Sequence, residues 1–163
     1  MKRLIILPIT IFSAITIFQE AVFCASGKEF TTRYTTIHYN EDKDMDDFIW
    51  RLGGQKLEFS HDRALASSRV DRIIDRVRNV LDIQPAKFTV DIYLYRGPLE
   101  SGQPAFFEYK TRSIHISIEN VTDGVFAHEV AHAIINFNFG PALPSKVQEI
   151  LTQYADKYLW SDY

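Results

Sequence analysis

The sequence predicts an α+β domain, and three observations point there. Apolar residues recur at helical spacing from Ala64 to Leu81, apolar and polar residues alternate from Phe88 to Tyr95 and from Arg112 to Glu119, and two further helical patterns follow Asn120. At 163 residues, with 46% hydrophobic, 24% charged, 7 Gly and 6 Pro, the composition is that of one packed domain and excludes a disordered or collagen-like chain. The net charge of -3 and the absence of a Lys/Arg block give no electrostatic footprint for a nucleic-acid backbone, so nucleic acid is not an expected partner. The single cysteine, Cys24, excludes an intrachain disulfide framework and any CxxC zinc or redox site.

The elements follow in order. Lys2 and Arg3 precede an uncharged apolar run from Leu4 to Phe18, and small residues stand at Cys24, Ala25 and Ser26. That layout predicts an export signal over residues 1–25, since the run is short for a spanning helix. Residues 26–163 are then the single folded domain, periplasmic or extracellular, with no stable membrane span after cleavage; an N-terminally anchored form is the alternative. Phe23 before Cys24 disfavours lipid attachment. Thr31 to Tyr39, rich in Thr, Tyr and Ile, predicts a strand ending in an acidic turn from Asn40 to Asp47. Phe48 to Leu52 predicts a helical turn or two, stopped by Gly53 and Gly54. From Ala64 to Leu81, the residues Leu65, Val70, Ile73, Ile74, Val77, Val80 and Leu81 form one apolar stripe of a helix. A strand follows at Phe88 to Tyr95, then a loop holding Gly102 and Pro104, then a second sheet strand with Ile114, Ile116 and Ile118 on one face and Ser113, His115 and Ser117 on the other. Val125 to Phe137 is helical up to Gly140 and Pro141, and a last helix is expected after Pro144, opened by a Ser145/Gln148 capping box.

The chemistry lies in His128-Glu129-Val130-Ala131-His132. Residues four apart share one helix face, so both imidazoles can reach one metal ion, and zinc suits neutral imidazole nitrogens. Glu129 is placed to act on a water at that metal as general base. A chance HExxH is expected in on the order of one such chain in a hundred, but the small and apolar flanks Val125, Ala127, Val130, Ala131, Ile134 and Ile135 also predict a helix buried around its histidines. A third ligand is required. Ile135 and Asn138 stand where a metzincin would have Gly and His, and neither methionine follows the motif, which excludes that branch. The other route is a carboxylate from the next helix, folded back by the short loop from Asn138 to Pro144: Glu149, 17 residues past His132, with Asp156 in reserve.

The two-helix unit resembles the gluzincin branch of zinc metallopeptidases, in particular small peptidase MA-like proteins, over roughly residues 60 to 160. Tyr154 matches their glutamate-helix pattern, while Ile150 and Thr152 stand where Gly and Ala are usual. The resemblance implies a zincin-like fold, a mostly antiparallel sheet packed on the HExxH helix and a following glutamate-bearing helix. It also implies one Zn2+ held by His128, His132 and Glu149, with Glu129 as catalytic acid and base. The expected activity is hydrolysis of a peptide or protein substrate, and an edge strand, here Arg112 to Glu119, would align it. With nothing after the glutamate helix, an open cleft is expected. The alternative function is a noncatalytic peptide-binding module that keeps the metal site. Tyr109 and Tyr154 are candidate oxyanion donors. His115 reads as a solvated strand residue, His38 and His61 as surface or capping residues, and the Asp42, Asp44, Asp46 spacing as a solvated acidic turn, because Asp47 and Gly53 stand where a calcium loop needs Gly and Glu.

Overall fold

Helical and period-two patterns resolve, in a computed structural model that describes residues 27–53 and 57–161, into five strands and four α-helices. The leader expected over residues 1–25 lies outside the described residues. In chain order the elements are β1 (Lys28–Thr31), β2 (Thr35–Tyr39), α1 (Asp42–Arg51), α2 (Arg63–Leu81), β3 (Val90–Tyr95), β4 (Ala105–Glu108), β5 (Ser113–Ser117), α3 (Asp123–Phe139), a 3-10 turn (Gly140–Ala142) and α4 (Ser145–Lys157). The fold class is α+β, as expected.

The sheet corrects the expectation of mostly antiparallel pairing. Its order is β1-β2-β3-β5-β4; β1/β2 and β4/β5 are antiparallel, but β2/β3 and β3/β5 are parallel. Parallel neighbours need a long crossover, and α1 with α2 supplies it between β2 and β3. Between β3 and β5 the chain first lays down β4 and then turns back inside it. The edges are therefore β1 and β4, and the segment Arg112 to Glu119, expected at the edge, is interior between β3 and β4.

Two more corrections concern the N-terminal half. The strand expected from Thr31 to Tyr39 is a hairpin, broken where the Thr32 hydroxyl accepts the N–H groups of Tyr34 and Thr35. The acidic turn is the start of α1. The Asp44 carboxylate, 3% exposed, accepts the N–H groups of Asn40 and Glu41 and pairs with Arg96 at 2.8 Å. Asp46 accepts the Phe59 N–H and Asp42 pairs with Lys28. These carboxylates complement the helix N-terminus and tie loops to it, which is why the segment is neither a solvated turn nor a cation loop.

α1, α2 and α3 bury their apolar stripes over one face of the sheet, and α4 lies against α3 and α2. Ile37 of β2, Ile92 and Leu94 of β3, and Ile114 and Ile116 of β5 meet Phe48, Ile73, Ile74, Phe126, Val130 and Ile134 in one core. Each such fully buried side chain contributes about 1.5–3 kcal/mol of transfer free energy. α3 is buried on nearly all sides, with ten of its residues from Phe126 to Asn136 out of solvent, as an apolar helix must be. It lies against α2, α4, β4 and β5. Among the described residues no helix is long and apolar enough to cross a membrane.

Candidate metal centre

The site begins with how α3 starts and stops. Thr122 caps it, its hydroxyl accepting the Val125 N–H at 3.2 Å. Gly140 ends it at φ 59 and ψ -146, a conformation open essentially to glycine alone. The chain then makes the 3-10 turn, and Pro144 begins α4 with no side-chain cap bond. So short a connection returns α4 along α3. The Ser145/Gln148 capping box expected there is absent: Gln148 turns inward, 7% exposed, and donates from Nε2 to the Leu143 carbonyl at 2.9 Å.

This hairpin brings together the three residues predicted as ligands. The imidazole rings of His128 and His132 lie one turn apart with centroids at 5.0 Å. Glu149 faces both, with Oε2 3.7 Å from His128 Nε2 and Oε1 3.3 Å from His132 Nε2. One donor atom from each residue falls within 4.8 Å of the others, so the cluster could hold a metal ion. The fit is chemical as well as geometric. Donors about 2.0–2.2 Å from a tetrahedral ion stand about 3.4 Å from one another, close to the two distances to Glu149. The donor set of two imidazoles and one carboxylate leaves a fourth position open. Asp156 does not join it; its carboxylate sits against Gly124, where a Cβ would lie only 2.5 Å from Oδ1, and lines a small cavity with His128 and Glu129.

Electrostatics prepares the site. His132 is 7% exposed, and burial, reinforced by the positive charge that His128 can carry, lowers its pKa against the opposing pull of Glu149. Burial thus favours the neutral ring, the form that binds metals, in the approach of His132 Nε2 to Glu149. Glu129, 9% exposed, is pushed up to about 7, chiefly by burial, with a smaller contribution from Glu149; a hydrogen bond from the Phe107 backbone acts the other way. That bond places the Glu129 carboxylate at β4. Ser117 N–H donates to Pro104 O, so the antiparallel alternation turns the N–H and C=O of Ala105 and Phe107 away from β5, toward the free edge.

The aromatic candidates separate. Tyr109, in the turn after β4, reaches the cluster: its hydroxyl lies 3.1 Å from His132 Nδ1 and donates to Gln148 Oε1 at 3.1 Å. Burial, with Glu149 and Glu129 nearby, raises its pKa and keeps it a phenol. Tyr154 is exposed and packs at a tilt on Tyr158, with ring centroids 4.6 Å apart; among the described residues no hydrogen bond or ring contact joins it to the cluster. The part of Gln148 was missed from sequence, where the only visible signal was its place beside Glu149.

His115 is not a solvated strand residue. Cross-strand register stacks His38, Tyr93, His115 and Phe106 in a row on the sheet face opposite the helices, at centroid spacings of 4.4, 5.2 and 4.8 Å. The ring nitrogens of His115 are taken by Tyr95 and Ser113. His38 lies between Glu29 and Asp91, and His61 is exposed beside Glu58. The chain matches no protein-family model, no curated protein and no solved structure.

Proposed function

We propose that this chain is an exported zinc-dependent metallopeptidase of the gluzincin type, with His128, His132 and Glu149 as metal ligands and Glu129 as general base. The observation that carries the reading is the convergence of a nitrogen from each of two imidazoles and one carboxylate oxygen within 4.8 Å, with a buried carboxyl group on the adjoining residue. When bound, zinc would supply an activated water and polarise the scissile carbonyl. The Glu129 carboxylate, beside the ligand His128, would serve as the group that accepts a proton from that water and passes it to the leaving nitrogen. The outer edge of β4, beside Glu129, directs the Ala105 N–H and C=O and the Phe107 C=O toward an extended peptide, while the Phe107 N–H is held by Glu129. A noncatalytic binding module would have no use for a carboxylate desolvated at this point.

The test is metal analysis and hydrolysis of a generic peptide library by the wild-type protein and Glu129→Gln. Zinc is expected at one ion per chain in both. Hydrolysis is expected in the wild type and reduced by about 10²–10⁴-fold in the variant. Equal activity in the two proteins, or no hydrolysis by the zinc-loaded wild type, would overturn the peptidase reading.

A further inference from the structure

We infer that Tyr109 and Gln148 form a one-way hydrogen-bond chain that fixes His132 with its proton on Nδ1 and its lone pair on Nε2, which reserves the gap between His132 and Glu149 for a cation. The inference deepens the metal reading and rests on it only for what fills that gap.

The chain runs Leu143 O, Gln148, Tyr109, His132, Glu149, and its successive contacts measure 2.9, 3.1, 3.1 and 3.3 Å. Both ends, a carbonyl and a carboxylate, can only accept. Between them the Gln148 amide offers an N–H on one side and an oxygen on the other, the phenol has one O–H, and a neutral imidazole has one N–H. Four contacts thus share three hydrogens, and one contact must be without. Gln148 cannot turn over, because its oxygen would then face the Leu143 carbonyl at 2.9 Å. Its oxygen therefore accepts from Tyr109 and the phenol oxygen is left to accept; of the two His132 contacts the one from Nδ1 to Tyr109 has hydrogen-bond geometry, whereas Nε2 and Glu149 are only close, so the ring donates from Nδ1. The contact without a hydrogen is the last and longest, His132 Nε2 to Glu149, which is also where His128 Nε2 approaches Glu149 at 3.7 Å. Two acceptors face each other there, and a cation between them removes the conflict. Tyr109 and Gln148 are positioning residues: they act through His132 and touch no reacting atom.

Two substitutions separate direction from packing. Tyr109→Phe keeps a half-exposed ring and removes the hydroxyl. Gln148→Leu keeps the hydroxyl but frees it to donate to His132, reversing the chain. The His132 tautomer is read by long-range 15N–1H NMR in metal-free protein, and zinc affinity by competition with a chelator. Expected are an Nδ1–H tautomer in the wild type, loss of that preference in both variants, and zinc affinity lower by about 10–100-fold in each. An Nε2–H tautomer in the wild type, or variants that match its tautomer and its affinity within twofold, would overturn the proposal. A wild type with the Nδ1–H tautomer but no zinc binding would support the hydrogen-bond chain and sink the metal reading instead.

Discussion

Two regions of this protein gather histidines, and they use them in opposite ways. On α3 the helical repeat sets His128 and His132 one turn apart, their rings inclined by 73°, so that an Nε2 atom of each points at Glu149. On the outer face of the sheet, strand register brings His38 and His115 to either side of Tyr93, with interplanar angles of 9° and 16°. A nitrogen lone pair lies in the ring plane, so rings stacked face to face cannot aim their lone pairs at a common point. The helix pair makes a donor cluster and the sheet pair makes a stack. Residue type alone does not decide what a histidine does; the periodicity of its element and what its nitrogens face do.

The largest expected effect breaks the helical half. Replacing Glu149 by Ala removes the one carboxylate that both Nε2 atoms face. Zinc affinity, measured against a chelator, should fall by at least about a hundredfold, more than for a group that only orients a ligand. The substitution lies on an exposed helix position and should move the urea midpoint little, since Glu149 covers no core. Unchanged zinc affinity would show that the convergence seen here is not a metal centre and would erase the contrast with the sheet.

A smaller effect appears in the pH dependence of the metal-free protein. Folding raises the Glu129 carboxyl from 4.5 to about 7, so the folded state favours its uncharged form. The associated stability is complete below the unfolded value and is lost as pH rises through 7. Between pH 5 and pH 8 the metal-free wild type should lose on the order of 3 kcal/mol through this group, measured by urea unfolding. Glu129→Gln, which cannot ionise, should show a flatter profile and be the more stable protein at pH 8. Parallel profiles for the two proteins would mean that the site does not hold the carboxyl out of water.

How much of this could be seen beforehand follows the same division. α2, α3 and α4 are legible, because a helix writes its buried stripe into residues three and four apart and, for α3, its stop at Gly140 into the next residue. The coming together of His128, His132 and Glu149 was legible for the same reason, being a helical repeat plus a short connection. β4 was not, since Ala105 to Glu108 is four residues reading Ala-Phe-Phe-Glu, too short for a period-two signal. With no signal for β4, the resemblance puts the edge at β5, and the turn carrying Tyr109 has no place near α3. The parallel pairings and the ring stack were illegible because register is settled by contacts between strands far apart in sequence. Gln148 was read as a capping residue from its local pattern, and only the tertiary approach of Tyr109 and Leu143 gives it another part.

The smallest effect sharpens the contrast from the sheet side. His115→Phe keeps a flat ring between Tyr93 and Phe106 and removes the bonds to Tyr95 and Ser113. Stacked aromatic pairs contribute about 0.5–1.5 kcal/mol beyond burial, and an ordinary hydrogen bond about as much. Retaining the first and losing the second should cost about 1–2 kcal/mol in urea unfolding, offset in part because a phenyl ring is buried more favourably than an imidazole. The decisive reading is the other one. Zinc affinity and stoichiometry should stay within twofold of the wild type, because both His115 nitrogens already serve sheet partners. A fall in zinc content would mean that the stacked histidine takes part in metal binding after all, and the distinction between helix-borne donors and strand-borne rings would not hold.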